Sequence, residues 1–240
     1  MSEFHIVNDN CFDFIPKMIK SDLKVDLIVT DPPYYITDKV VKRRSKREIK
    51  NHYESEMNKT MIELSDLNID MSYDIEKFSQ LVVLLQNHIN AYFFCNKKQI
   101  PLYFDIYVNK LKCNFELISW HKTNALPTYF NKYLSDTEYI LYFHKQSGKL
   151  KPQSYEDAKT YYLDAINVQD KKKYNHPTIK PLNLVEKLIR NSSLEGDLVF
   201  DPFLGSGTTG VAALKNNRNF LGIEVVKQYY DLSVNRCSEI

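Results

Sequence analysis

The sequence predicts an α/β fold, with a mainly parallel sheet and helices on both of its faces. Apolar runs such as 25–29 and 91–95 alternate with stretches of helical periodicity such as 75–90. A proline turn and a glycine-rich turn each follow an apolar run directly, and α/β proteins bind ligands at the carboxyl ends of their strands. The 240 residues, 43% of them hydrophobic and 26% charged, are sufficient for a single domain spanning residues 1–240.

The N-terminal part begins with a predicted strand over 4–7 and a short helix ending near residue 20. A strand over 25–29 stops at Thr30-Asp31-Pro32-Pro33-Tyr34, because two consecutive prolines continue neither a central strand nor a helix. No periodicity is visible from residue 35 to about 73, which predicts a long loop. This loop is strongly basic, so it is either a solvated surface loop or a segment that contacts phosphate groups. Its basic residues are Lys39, Lys42, Arg43, Arg44, Lys46, Arg47 and Lys50.

The middle of the chain continues the alternation of helices and strands. Helices are predicted over 75–90, over 99–111 and from 182 onward, strands over 91–95, 115–120 and 137–143, and a loop over 121–135. Residues 145–175 lack a strong period and are expected to form a surface insertion ending in Lys171, Lys172 and Lys173.

The C-terminal part contains a strand ending at Asp201, a glycine-rich turn, a helix, a strand over 220–223 and a final helix. Only 30 residues follow Gly210, so the strands that complete the sheet beside this turn must come from the N-terminal part. The fold is therefore expected to be circularly permuted. The turns after Asp31 and Asp201 would then end neighbouring strands.

The glycine-rich turn, Gly205-Ser206-Gly207-Thr208-Thr209-Gly210, has the spacing of a nucleotide-binding loop. Glycine allows tight turns and close approach of a ligand, and a helix N-terminus offers free N–H groups. Glu224, at the end of the next apolar run, is placed to accept hydrogen bonds from ribose hydroxyls. Read literally, the spacing is also compatible with NAD binding, or with a turn that serves packing alone.

The segment Asp31-Pro32-Pro33-Tyr34 suits the binding of a planar amine. An exocyclic amino group on a base is a poor nucleophile, because its lone pair is delocalised into the ring. A carboxylate and a fixed backbone carbonyl can accept hydrogen bonds from the two N–H groups of the amine. Tyr34 can stack on the base, and this stacking is worth about 1–3 kcal/mol. The alternative is a proline turn in which the aspartate is a cap.

Composition excludes several classes of protein. The four cysteines, at positions 11, 95, 113 and 237, show no CxxC pairing, and the six histidines show no metal-ligand spacing, so no metal site is predicted. No apolar run approaches 18 residues, and the net charge is +2. We therefore expect a soluble cytoplasmic protein with no membrane association.

Several motifs in this order resemble the DNA amino-methyltransferases. Asp31-Pro32-Pro33-Tyr34 resembles their catalytic motif, and Asp201-Pro202-Phe203-Leu204-Gly205-Ser206-Gly207-Thr208-Thr209 their S-adenosylmethionine motif. The catalytic motif comes first, as in the β class of that family. His176-Pro177-Thr178-Ile179-Lys180-Pro181 is similar to the segment before the cofactor motif, and 136–141 to a further core strand. The resemblance implies a Rossmann-like methyltransferase fold.

The same resemblance implies residue roles. Asp31 and Pro32 would hold the target amine, with Pro33 and Tyr34 completing the catalytic motif. Asp9 would lie at the adenine end of S-adenosyl-L-methionine, the alternative being an ordinary turn acid. The alternative for Lys180 is an exposed lysine at a helix start. The cofactor-binding residues implied are Asp9, Asp31, Thr178, Lys180, Asp201, Phe203, Gly205, Ser206, Gly207, Thr208, Thr209 and Glu224. The DNA-binding residues expected are Lys42, Arg43, Arg44, Arg47, Lys171, Lys172 and Lys173.

These features predict transfer of a methyl group to the N6 amino group of adenine in duplex DNA after base flipping. The resemblance implies adenine because the motif begins with aspartate rather than serine. Three alternatives remain at this point: N4-cytosine methylation or the same chemistry on RNA, an NAD-dependent oxidoreductase, and a non-catalytic nucleic-acid binder. Residues 145–175 match the position of a target-recognition region. By the resemblance, a homodimer and a cognate restriction endonuclease are possible partners.

Overall fold

A computed structural model of the chain describes residues 2–34, 73–127, 131–145, 150–166, 169, 173–174 and 179–240. In these ranges the strands are β1 Phe4–Val7, β2 Leu27–Thr30, β3 Asn90–Cys95, β4 Asn114–Lys122, β5 Thr137–His144, β6 Tyr161–Asp164, β7 Leu198–Asp201 and β8 Asn219–Ile223. The helices are α1 Cys11–Lys20, α2 Ile75–Leu84, α3 Ile100–Phe104, α4 Tyr155–Ala158, α5 Leu182–Ser192, α6 Thr208–Lys215 and α7 Lys227–Ser238. A π-helical segment, Asp105–Lys110, continues α3.

The described strands form one sheet in the order β1-β8-β7-β2-β3-β5-β4-β6. All neighbouring pairs are parallel except β3–β5 and β5–β4, so β5 alone among the described strands runs in the opposite direction. The two N-terminal strands complete the sheet on either side of the C-terminal pair, because β1 pairs with β8 and β2 with β7. The predicted mainly parallel sheet with permuted order is confirmed.

Helices cover both faces of the sheet, as predicted. Alternate strand residues point to opposite faces: Ile28 and Phe200 join one apolar cluster, whereas their neighbours Leu27 and Val199 join the other. The first cluster contains buried residues of α1, α2 and α3, and the second contains those of α5 and α6. Both faces of the central strands are therefore buried under helices, which explains why the sequences of these strands are continuous apolar runs.

Two expectations about element boundaries were wrong. The helix expected over 75–90 ends at Leu84, because Asn90 begins β3 and pairs with His144 of β5. The Gln86 side chain bridges this junction by accepting from the Asn90 N–H and donating to its carbonyl, at 3.1 and 3.0 Å. Strand β4 continues to Lys122, although 121–135 was expected to be a loop.

The segment 145–175, which is expected to form a surface insertion, contains regular secondary structure in its described part. Its described part contains α4 and the edge strand β6, which pairs in parallel with the end of β4. The strand is only four residues long and alternates exposed and half-buried side chains, so it gives little periodic signal.

The described part of the chain contains no helix long and apolar enough to cross a membrane. The same residues contain no group of three or more His, Cys, Asp or Glu side chains that could hold a metal ion. All four cysteines are buried free thiols.

Candidate active site

Four acidic residues lie in a row along one edge of the sheet. The adjacent parallel strands β1, β8, β7 and β2 each end beside an acid, namely Asp9, Glu224, Asp201 and Asp31. Carboxyl ends of parallel strands lie at the same edge of a sheet, so residues far apart in sequence meet here. This edge contains both motifs singled out in the sequence.

The reversed strand β5 adds a fifth acid to this edge. Because β5 is antiparallel to β3 and β4, its beginning lies beside their ends, with Tyr139 opposite Cys95 and Glu138 opposite Trp120. Glu138 therefore reaches the side of the site that contains Asp31. Lys122, the last residue of β4, lies at the same place.

Asp201 is almost completely buried at the end of β7. Its Oδ1 accepts hydrogen bonds from the Thr30 hydroxyl at 2.6 Å and from the Phe203 N–H at 3.1 Å. Burial raises the pKa of Asp201 to about 6, although the hydrogen bonds from Thr30 and Thr209 lower it. The carboxylate links β7 to β2 and fixes the start of the glycine-rich turn.

Glu224 holds the other side of the glycine-rich turn. One carboxylate oxygen accepts from the Gly205 N–H at 2.7 Å and the other from the Val226 N–H at 2.8 Å. Burial raises the pKa of Glu224, and the bonds to these backbone N–H groups oppose that shift. Because each oxygen has a further lone pair, the carboxylate can still accept hydrogen bonds from a ligand.

The glycine-rich turn requires glycine at two positions. Gly205 and Gly207 have φ angles of +54° and +82°, in the left-handed region that disfavours other residues. A Cβ on Gly207 would also lie 2.9 Å from Ser233 Cα in α7. Helix α6 begins directly after Gly207, so its free N–H groups face the carboxyl edge of the sheet.

The remaining predicted cofactor residues differ in accessibility. Ser206, Thr208 and Thr209 are buried, and the first two hydroxyls lie 3.2 Å apart. Phe203 packs on the rings of Tyr73 and Phe78, with ring centroids 5.5 and 5.2 Å away.

Of two further predicted cofactor residues, Asp9 can be placed, and it lies at one end of the row. Asp9 is bonded to Lys17 at 3.0 Å, and this bond lowers the pKa of Asp9. Thr178 lies outside the described residues.

Asp31 lies in contact with Lys180. Its Oδ2 is 2.5 Å from the Lys180 ammonium, whereas Oδ1 is buried and has no hydrogen-bond partner in the described structure. About a quarter of the Asp31 side chain is exposed. Gln99 donates a hydrogen bond to the Pro33 carbonyl at 2.9 Å, and this bond fixes the proline turn. An unpaired buried carboxylate oxygen is costly, and an incoming N–H group would satisfy it.

The predicted alternative of an exposed Lys180 is excluded, since 8% of the residue is accessible. The Lys180 ammonium lies 3.2 Å from Glu138 Oε2 and 3.4 Å from the Tyr34 hydroxyl, and 5.5 Å from the centre of the Tyr34 ring. Its predicted contact with the methionine end of a cofactor stays a prediction. The Glu138 Oε1 atom lies 2.6 Å from Lys122.

Most of the predicted DNA-contacting residues cannot be placed. Lys42, Arg43, Arg44, Arg47, Lys171 and Lys172 lie outside the described residues. Lys173 is described, and its ammonium is 4.8 Å from the ring centre of Tyr174. The guanidinium of Arg236 lies 4.3 Å from the same ring and also bonds the Ser206 carbonyl. Lys173 is thereby connected to the glycine-rich turn.

Sequence reasoning missed four residues that build the site. These are Glu138, Lys122, Gln99 and Arg236. Glu138 lies in the segment 136–141, which was identified only as a further core strand, and the other three carry no motif signal of their own. One signal for Glu138 was available, because an acid at the beginning of an apolar strand requires a partner if it is buried. Arg236 lies in an ordinary amphipathic helix, where nothing distinguishes it from a surface arginine.

The sequence profile of the DNA methylase family matches residues 25–235, which include every strand from β2 to β8. The chain belongs to this family. Its activity is accordingly the methylation of DNA. No comparison supports the NAD-dependent oxidoreductase, so the glycine-rich turn belongs to a methyltransferase and that alternative is wrong.

Individual relatives agree with this assignment. The Type II methyltransferase M2.MboI of Moraxella bovis is 29% identical over 99% of this chain and 88% of its own length. The DNA adenine methyltransferase YhdJ of Escherichia coli (strain K12) is 47% identical over 62 residues, which are 26% of this chain and 21% of that protein. The crystal structure of the M1.HpyAVI–SAM complex superposes with a TM-score of 0.71 at 27% identity, covering 97% of this chain and 99% of that one. The predicted Rossmann-like methyltransferase fold is confirmed.

Proposed function

We propose that this DNA methylase transfers a methyl group from S-adenosyl-L-methionine to the N6 amino group of adenine in duplex DNA. One observation carries the proposal: the carboxylate of Asp31, one oxygen of which has no partner among the described residues, follows the strand adjacent to the one that ends in Asp201 and the glycine-rich turn. This arrangement places an acceptor for an amine beside a pocket for a nucleotide-like cofactor. The relatives named for adenine methylation and for a complex with SAM support the choice of base and cofactor.

The residues at this edge fit S-adenosylmethionine. Gly205 and Gly207 leave room where side chains would project, and Glu224 retains lone pairs for ribose hydroxyls. Asp201 and Phe203 would line the pocket, and Asp9 would lie at the adenine end. When bound, the cofactor supplies an electrophilic methyl group.

Asp31 would accept one N–H of the target amine, and the Pro32 carbonyl would accept the other. Two acceptors draw the nitrogen toward tetrahedral geometry, which makes its lone pair available for attack. When the nitrogen has gained the methyl group it must lose a proton, and Asp31 is placed to receive it. Tyr34 would stack on the flipped base and offset part of the few kcal/mol that extrusion costs.

DNA contact is assigned to two basic segments, the predicted loop 35–73 and the lysines at 171–173. Replacing Arg43, Arg44 and Arg47 together by glutamine should reduce the slope of log Kd against log salt concentration by about 2–3, because each phosphate contact contributes about 0.9. An unchanged slope would remove this loop from the interface. A homodimer, a cognate restriction endonuclease and a cytoplasmic location stay predictions.

The decisive experiment incubates the protein with S-adenosylmethionine labelled in the methyl group and with unmethylated duplex DNA. The DNA is then digested to nucleosides, and the labelled nucleoside is identified. Label in N6-methyladenine is the expected result. Label in N4-methylcytosine would change the base and keep the chemistry, whereas the absence of label under all conditions would refute the proposal.

A further inference from the structure

Asp31 is the first member of a row of alternating charges that continues away from the cofactor side. Its Oδ2 contacts Lys180 at 2.5 Å, Lys180 contacts Glu138 Oε2 at 3.2 Å, and Glu138 Oε1 contacts Lys122 at 2.6 Å. The side chains of the last three are between 9% and 18% exposed, so these contacts are screened little by water. The row is electrically balanced, with two acids and two lysines.

Glu138 fixes the position of the Lys180 ammonium. The ammonium is bonded on one side to Asp31 and on the other to Glu138, and it lies 5.5 and 5.1 Å from the ring centres of Tyr34 and Phe94. With these contacts the lysine occupies a single oxygen of Asp31 and leaves Oδ1 without a partner in the described structure. A lysine free to rotate could bridge both oxygens and compete with a target amine.

Lys180 also opposes the effect of burial on Asp31. Burial raises the pKa of Asp31, the charge of Lys180 lowers it, and the charge of Glu138 raises it. The phenols of Tyr34 and Tyr103 and the thiol of Cys95 remain neutral, because burial raises their pKa values. Tyr34 also lowers the pKa of Asp31 through a hydrogen bond, and the Asp31 charge in turn raises the pKa values of Tyr103, Cys95 and Asp201, so Lys180, Glu138, Tyr34, Tyr103, Cys95 and Asp201 are the described titratable groups that interact with it. Lys180 is the one cation among them.

We infer that Lys180, anchored by Glu138, is a positioning residue that keeps Asp31 ionised and directs its free oxygen to the target amine. This inference rests on the proposed function, in which Asp31 accepts the amine. It assigns to Lys180 a role on the amine side of the reaction, and it explains why charged side chains are present at Glu138 and Lys122. The proton released by the amine goes to Asp31, while Lys180 keeps its own protons: burial lowers the pKa of Lys180, but the two acids raise it by more.

The test measures kcat against pH for the wild type and for Lys180→Met, Lys180→Arg and Glu138→Gln. Removing the cation in Lys180→Met should move the acidic limb of the profile upward by about 1–3 pH units, since an opposite charge at this distance shifts a carboxyl pKa by that amount. The activity lost at neutral pH should then return in part at alkaline pH. Lys180→Arg retains the charge and should keep the limb near its wild-type position.

Glu138→Gln should behave differently, because the lost charge is one that opposes ionisation of Asp31. Its acidic limb should not move upward, and kcat should fall by a similar factor at every pH, since Lys180 loses its anchor. Lys187→Met is the matched control. Lys187 is an equally buried lysine in α5, and its ammonium is bonded to the carbonyls of Glu156 and Lys159 at 2.9 and 2.8 Å, so the pH profile should stay unchanged.

Two results of the kinetic and binding measurements would overturn the inference while leaving the proposed function intact. The first is an unmoved acidic limb in Lys180→Met. The second is a loss confined to the affinity for S-adenosylmethionine, measured by calorimetry, which would support the predicted cofactor contact of Lys180. A wild-type protein that transfers no label would instead refute the proposed function.

A readout independent of turnover keeps the inference testable in every case. The pKa of Asp31 can be followed by 13C NMR of carboxylate carbons, with Asp31→Asn identifying the signal. The signal should titrate at higher pH in Lys180→Met than in the wild type. Equal titration midpoints in the two proteins would refute the role of Lys180.

Discussion

Replacing Asp201 by asparagine should stabilise the protein in the absence of cofactor. The Asp201 carboxylate is ionised at neutral pH although burial raises its pKa from 3.8 to about 6. A shift of about 2 units corresponds to about 3 kcal/mol, because one pKa unit is about 1.4 kcal/mol. Asparagine removes the charge and can keep the bonds from Thr30 and from the Phe203 N–H, since both end on the same oxygen. The Thr209 hydroxyl, which also bonds Asp201, can rotate to accept from the asparagine amide.

The sign of the effect depends on pH. The folded state holds the proton of Asp201 more tightly than the unfolded state, so this group lowers stability progressively as pH rises from about 4 to about 6. Above pH 6 the full penalty applies, and below pH 4 it is absent. The advantage of Asp201→Asn should therefore be near zero at pH 4 and reach about 3 kcal/mol at pH 7.5.

Urea unfolding of both proteins, followed by circular dichroism at several pH values, measures this difference. Asp231→Asn is the control, because Asp231 is an exposed acid paired with Lys227 in α7 and should change stability by less than about 1 kcal/mol. A variant less stable than the wild type at pH 7.5, or an advantage of equal size at pH 4, would refute the reasoning. The affinity of Asp201→Asn for S-adenosylmethionine should fall, which explains why the charge is present.

Three other substitutions have defined outcomes. Asp31→Ala should lower kcat by about 10²–10⁴ in the labelled-transfer assay, while calorimetry shows that cofactor binding is largely retained; near-normal turnover would contradict the role of the carboxylate. Glu224→Gln leaves either the Gly205 or the Val226 N–H without an acceptor, so urea unfolding should show a loss of about 1–3 kcal/mol, and equal stability would contradict these bonds. Gly207→Ala should destabilise the protein by about 1–3 kcal/mol more than Gly196→Ala. Both glycines have φ of +82°, but only a Cβ at position 207 would meet another atom within 4 Å. Equal losses in the two variants would mean that the contact with α7 relaxes.

The cofactor side of the site could be predicted from sequence because it depends on local patterns. Asp31, Asp201 and Glu224 each follow an apolar run, and parallel strands bring such ends together without further information. Burial of Lys180 was left open, since a lysine two residues before a helix reads equally well as exposed.

The charged residues beyond Asp31 could not be predicted in the same way. Glu138 reaches Asp31 because β5 is reversed and lies between β3 and β4, and this pairing is decided by contacts over the whole sheet. The short strand β6 is similar, because its pairing with β4 supplies the order that its own four residues do not specify.

The permuted strand order has a consequence for how the protein folds during synthesis. In the described sheet, β1 pairs with β8 alone, and Phe4 lies opposite Phe220. The first strand to be synthesised therefore remains unpaired until the last strand of this sheet has been made. Strand β2 likewise meets β7 about 170 residues later in the chain. Closing such long loops is slow, and the unpaired edges of β1 and β2 are exposed meanwhile. We expect nascent chains that lack β7 and β8 to depend on chaperones, and the acids along the sheet edge to come together only at the end of translation.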